Sequence, residues 1–191
     1  MNKKKITVGI AGLGGLGSNV ANALVRLGGV RLIIADFDVV DKSNLDRQLY
    51  FADQVGRVKV EAAIENLTRI DPDVEIVGHN VKLTPDNIPE IFAEAVIIAE
   101  CFDKADQKQM LVETVLTKCT DKVIVAVSGL AGYGRSNDIV TKKISDKLIM
   151  VGDGVSELLP GVMLVAARVA IAAYHQANAI TELILDRKTG L

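Results

Sequence analysis

A six-residue run from Ile6 to Ala11, apolar but for Thr7, leads straight into Gly12-Leu13-Gly14-Gly15-Leu16-Gly17-Ser18 and then into the helical stretch NVANALVRLGG. A strand that enters a helix through closely spaced glycines turns tightly and brings its backbone beside an anion. The first helical N–H groups there have no intrahelical partner and carry the positive end of the helix dipole. The G-x-G-x-x-G pattern in this setting predicts a nucleotide-binding turn, with Gly12, Gly14, Gly15 and Gly17 as candidate cofactor contacts, in preference to a plain tight turn. It lacks the Lys and Ser/Thr ending of a Walker A loop, so P-loop phosphate chemistry is not expected.

Further short Val/Ile-rich runs follow at 31–35, 74–78, 95–99 and 123–127, with segments of helical period between them. Runs without polar alternation are buried on both faces, and their alternation with helices predicts a doubly wound, Rossmann-like α/β fold whose mostly parallel sheet is covered on both sides. The clearest helix spans Gln54 to Ile70, with Val60, Ala63, Ile64 and Leu67 on one face and Lys59, Glu61, Glu65 and Arg69 off it. After Ser128 come a glycine-bearing loop, Ser128 to Gly134, two short candidate strands at 139–143 and 148–151, and a long apolar helix over 161–185. No linker divides the 191 residues, which read as one domain over 1–191.

Charge and cysteine content remove several classes. Lys and Arg number 22 against 24 Asp and Glu, and the basic residues are scattered apart from Lys3 to Lys5, so a nucleic-acid partner is not expected. Arg168, His175, Gln176, Asn178 and Glu182 interrupt the long apolar helix, which argues for core packing and against a membrane span. No export signal is read, and two cysteines without a C-x-x-C pair suit a reducing cytoplasm.

Asp36 ends the second strand nineteen positions after Gly17, where a carboxylate accepts hydrogen bonds from both ribose hydroxyls. To this point NAD and ATP are equally served. The polar run that follows reads Asp36-Phe37-Asp38-Val39-Val40-Asp41-Lys42-Ser43-Asn44-Leu45-Asp46-Arg47-Gln48, and Gly56-Arg57-Val58-Lys59 opens the next helix. With Glu100-Cys101-Phe102-Asp103 at a later strand end, this D-x-D-x-V-x-x-S-N-L-x-R-Q and G-x-x-K arrangement resembles the ThiF/MoeB/HesA family of ubiquitin-like-protein activating enzymes. The resemblance covers roughly residues 5–135.

The resemblance implies adenylation by ATP of the C-terminal glycine carboxylate of a small ubiquitin-like sulfur carrier ending in Gly-Gly, with sulfur from a separate donor. By position, Asp36 and Asp38 form the ribose-side acid pair, and Asn44, Arg47, Gln48 and Lys59 contact phosphates. Asp103 holds magnesium, unless it merely caps the following helix. Arg47, Lys59 and Asp103 are the candidate catalytic set, since positioning and charge compensation dominate such chemistry. The compact length resembles the ThiF-like subgroup linked with thiamine thiazole synthesis, and the family implies a homodimer.

Departures from the family pattern carry their own expectations. Without two C-x-x-C pairs no structural zinc is expected, and the first strand leaves no room for the helix that brings a partner arginine. Where the family reads D-N-x-x-x-R, this chain has Asp103-Lys104-Ala105-Asp106-Gln107-Lys108, so the arginine fork is lost. Cys101 and Cys119 read as bystander thiols. Two alternatives stand beside adenylation. One is an NAD-dependent oxidoreductase, although none of Tyr50, Tyr133 and Tyr174 has the lysine four residues on that a short-chain dehydrogenase needs. The other is a non-catalytic descendant that binds a nucleotide or a carrier.

Overall fold

A computed structural model describes residues 5–157, 159 and 161–189. Seven strands form one sheet: β1 (Ile6–Ala11), β2 (Val30–Asp36), β3 (Glu75–Asn80), β4 (Ile97–Glu100), β5 (Val123–Val127), β6 (Val140–Lys143) and β7 (Leu148–Gly152). Their order is β3-β2-β1-β4-β5-β7-β6, parallel throughout except for the β6–β7 hairpin at one edge. This is the doubly wound α/β architecture read from the sequence.

Helices α1 (Gly15–Leu27), α2 (Lys59–Thr68) and α5 (Ala166–Thr189) cover one face, and α3 (Ile88–Ile91) and α4 (Ala105–Lys118) the other. Alternate residues of each central strand serve the two layers. Val8, Ile10, Leu32 and Ile34 pack beneath α1, α2 and α5, while Ile33, Ile98 and Ile124 meet Phe92 of the α3 turn and Leu111 and Val115 of α4. Gly9 permits this second packing, because a Cβ there would lie 2.6 Å from the Phe92 ring.

Several boundaries differ from the sequence reading for local reasons. The helix expected from Gln54 starts at Lys59, because Ala52–Gln54 form a separate 3₁₀ turn and Gly56 takes φ +88°. Lys59, placed off the apolar face by periodicity, is 5% exposed, since it turns toward Asp38 and away from solvent. The long helix starts at Ala166, five residues after Gly161, whose φ is +85°. The short α3 carried too little periodicity to be read.

Candidate functional site

In a doubly wound sheet, ligands lie at the carboxyl ends of the strands where the strand order reverses, here between β1 and β4. The glycine turn occupies that position. Gly12 takes φ +92° and its N–H donates to the Ala35 carbonyl at 2.8 Å. The first turn of α1 has no side-chain cap and no acid, so its amides keep their positive field. The four glycines divide their work. A Cβ on Gly17 would lie 1.8 Å from the Gly12 carbonyl oxygen and one on Gly15 2.9 Å from Val169 of α5, so these two permit packing. Beside Gly14 only Gln48 Nε2 comes near, at 3.8 Å, and the backbone is open to a ligand.

Asp36, 8% exposed, is fixed by two backbone amides: Leu13 N–H donates to Oδ2 at 2.6 Å and Asp38 N–H to Oδ1 at 2.8 Å. Tyr50, buried below, donates its hydroxyl to the Leu13 carbonyl at 2.9 Å. Burial, then the charges of Asp36 and Asp38, push the Tyr50 hydroxyl well up from its ordinary value, so it remains a donor that braces the turn. The carboxylate at the strand end and the glycine turn are thus one hydrogen-bonded unit.

The polar loop is built from its own side chains. Asn44 Oδ1 accepts from Asp41 N–H at 3.1 Å, and the Asn44 carbonyl accepts from the amides of Arg47 and Gln48 at 3.2 and 2.9 Å. Arg47 donates to Asp46 at 2.6 Å and to the Ser43 carbonyl at 3.1 Å, while Lys59 donates to Asp38 at 3.1 Å. Gln48 is buried against the glycine turn, and its Oε1 makes no hydrogen bond. A cavity of about 360 Å³ opens beside Arg47 and Gln48, walled by Asn19 of α1 and by Ala166, Ala167 and Ala170 of α5.

Asp103 follows the end of β4. Its neighbours touch the glycines directly, since a Cβ on Gly12 would be 3.0 Å from the Cys101 carbonyl oxygen and 3.2 Å from Phe102. Asp103 is exposed, and the helix after it is capped by Lys104 without a side-chain bond, so Asp103 does not cap α4. Lys108, read from the sequence as a lost arginine, reaches both carboxylate oxygens of the fully buried Glu100, at 3.1 and 2.9 Å. Among the described residues no group of three or more His, Cys, Asp or Glu side chains comes together to hold a metal. Lys3 and Lys4 lie outside the described residues, and Lys5 pairs with Glu75 at 3.0 Å.

The contacts of three side chains, Gln176, Arg168 and Asp153, escaped sequence reasoning. Gln176 of α5, fully buried, donates to the carbonyls of Glu100 and Val125 at 2.9 and 2.8 Å. Arg168, also on α5, donates to Asp153 at 2.6 Å and to the carbonyls of Ala131, Gly134 and Arg135 at 3.1, 2.7 and 3.0 Å. It thereby fixes the loop after β5. Burial raises the Asp153 carboxyl, but amide hydrogen bonds from Ser156 and Val155, with Arg168, outweigh this and hold it down at about 2. The available signal was polar residues inside an apolar helix. Burial, with the charge of Glu100 next, pushes the Cys101 thiol far up, and burial raises Cys119 as well, so neither is a ready thiolate.

Comparison with known proteins decides the family. The ThiF family model matches residues 2–189. The chain belongs to the ThiF family. Among its curated relatives, Ubiquitin-like modifier-activating enzyme 5 of Drosophila persimilis is 47% identical over 78 residues, 41% of this chain and 20% of that protein. Adenylyltransferase and sulfurtransferase uba4 of Aspergillus terreus is 36% identical over 127 residues, 66% of this chain and 26% of that protein. The chain thus spans about a quarter or less of these relatives' lengths. Among solved structures, E. coli tRNA N6-threonylcarbamoyladenosine dehydratase in complex with AMP superposes with a TM-score of 0.85 at 20% identity, covering 97% of this chain and 88% of that one. E. coli MccB with ATP gives a TM-score of 0.72 at 22% identity, covering 96% of this chain and 57% of that one. These two likenesses are of fold. Among the described residues no helix is long and apolar enough to cross a membrane.

Proposed function

We propose that this ThiF-family chain uses ATP to adenylate the C-terminal glycine carboxylate of a small ubiquitin-like sulfur carrier protein ending in Gly-Gly, releasing pyrophosphate. Its setting is a cytoplasmic homodimer in thiamine thiazole synthesis. The observation that carries the reading is the open backbone beside Gly14 with the unspent Gln48 carbonyl above it. A buried acceptor without a donor costs about 1–3 kcal/mol, a cost that a bound hydroxyl, amine or ordered water removes.

The reaction needs little covalent help from the protein. A carboxylate oxygen of the carrier bonds to the α-phosphorus as the bond from that phosphorus to the bridging oxygen breaks, and the electron pair leaves with pyrophosphate. No proton moves, so no general base is required. Asp36 holds the ribose and the Gly14 backbone approaches the phosphates. Arg47 and Lys59 then turn from Asp46 and Asp38 to offset charge on the phosphate oxygens. Magnesium is commonly held by one or two carboxylates together with substrate phosphates, and the exposed Asp103 carboxylate suits that mode. When bound, the ion supplies positive charge to the leaving pyrophosphate. Sulfur comes from a separate donor, because both cysteines are buried.

Thermal unfolding with magnesium-ATP, NAD or S-adenosylmethionine tests the reading. A ligand at about 100 times its dissociation constant adds roughly 2.7 kcal/mol, or about 5–10 °C for a domain of this size. Stabilisation by magnesium-ATP, followed by carrier-dependent pyrophosphate exchange, is expected. Stabilisation by NAD alone would replace the reading with the oxidoreductase. Nucleotide stabilisation without exchange by any Gly-Gly-ending carrier would favour the non-catalytic descendant.

A further inference from the structure

The pairing of β4 with β5 stops at Ala99 opposite Val125, and the two strands part before their carboxyl ends. Glu100, fully buried, lies at that opening, which the Gln176 side chain bridges by donating to the Glu100 and Val125 carbonyls. Glu100 Oε1 accepts from Phe102 N–H at 2.7 Å and its Oε2 from Val127 N–H at 3.3 Å, so one carboxylate closes its own loop and holds the end of β5. Lys108, in the first turns of α4, donates to both oxygens, while its backbone N–H bonds the Lys104 carbonyl at 3.0 Å. A carboxylate this deep requires such partners, since an uncompensated buried charge is strongly unfavourable. The four-residue loop 101–104 is therefore held from both sides, at Phe102 by Glu100 and at the start of α4 by Lys108. Between these anchors stands Asp103, which makes no hydrogen bond of its own among the described contacts.

We infer that Glu100 and Lys108 are a positioning pair that aims Asp103 at the divalent cation of a bound nucleotide. Neither residue touches substrate. Their action passes through the backbone of Phe102 and the first turn of α4, as partners outside a coordination shell orient the ligands within it. The cation in this inference rests on the adenylation reading, whereas the clamp on the loop does not.

The experiment uses the full chain as wild type, Glu100→Gln, Lys108→Gln and the double variant E100D/K108R. Two quantities are read: amide exchange at Phe102 without ligand, and the magnesium concentration giving half of the ATP-dependent rise in melting temperature. Both single variants are expected to speed exchange in the loop and to raise the magnesium midpoint about tenfold or more. E100D/K108R should return the midpoint to near the wild-type value even if its own melting temperature is lower. A merely structural pair would lower the melting temperature and leave the magnesium midpoint alone, which would overturn the inference. Wild-type exchange rates in Glu100→Gln would overturn the clamp itself. Absence of any magnesium-dependent ATP effect in the wild type would instead defeat the adenylation reading, and with it the cation this pair serves.

Discussion

Each cation of the site rests on a carboxylate that solvent reaches: Arg47 on Asp46, 62% exposed, and Lys59 on Asp38, 51% exposed. Ion pairs open to solvent are worth about 0–1 kcal/mol, so transferring Arg47 from Asp46 to a phosphate sacrifices little, whereas the buried Lys59 would exchange one anionic partner for another. The same reasoning predicts what Arg47→Lys does. The charge stays but the planar fork is lost, and removal of one well-placed donor typically costs about 10²–10³ in turnover. Pyrophosphate exchange is expected to fall by that order with the melting temperature nearly unchanged, and an equal fall in both would reassign Arg47 to structure. Asp103→Ala should abolish exchange and spare the fold, and unchanged exchange would remove the magnesium assignment. At this scale the sequence was legible where the candidate site follows a local pattern: the glycines at a strand-helix junction, Asp36 at a fixed distance beyond, Arg47 and Gln48 in a polar run. It was silent where the partner is remote. Nothing near Glu100 announces Gln176, 76 positions on, and periodicity alone could not turn Lys59 inward toward Asp38.

Among the elements, α5 does more than cover the sheet. Arg168 collects Asp153 and three loop carbonyls, so the segment after β5 is held by a helix that also walls the cavity beside Arg47. Gly129 makes room for this knot, since a Cβ there would lie 2.1 Å from Asp153 Oδ1. Because the folded Asp153 carboxyl titrates near 2, below its ordinary value of 3.8, its contribution is complete above about pH 4 and is lost as pH falls toward 2. Asp153→Asn should remove that part of the acid sensitivity in denaturant titrations between pH 4 and 2. Asp153→Ala should cost about 3–5 kcal/mol at neutral pH, because it strands a buried guanidinium. An acid profile for Asp153→Asn identical to wild type would deny the pair this role. Polar residues spaced along α5 made its burial legible, whereas its partners lie on loops without periodicity. The start of α2 was misplaced for a comparable reason. Gln54 is caught by Asn66 at 2.8 Å and by the Phe51 amide at 3.1 Å, so a side-chain knot interrupts what looks like one helical stretch.

Across the whole molecule, the candidate site lies at the carboxyl ends of the strands, where segments leading into the two helical layers come side by side. The glycine turn leads into α1 on one face, and the Asp103 loop leads into α4 on the other, with β1 and β4 adjacent between them. A ligand held by Gly14 and Asp103 together therefore ties the two helical layers at the carboxyl ends of the strands. A ligand held by the glycine turn alone ties only one. Hydrogen exchange separates the cases. Magnesium-ATP is expected to slow the amides of residues 12–18 and of residues 101–105 together, because binding that spans both layers suppresses opening of each. Protection confined to residues 12–18 would mean that the nucleotide is gripped as in a plain dinucleotide fold and that the β4–α4 loop plays no part in holding it. Protection of both, abolished at 101–105 by Asp103→Ala and retained at 12–18, would assign to the two halves of the sheet the separate tasks of holding the nucleotide and compensating its charge.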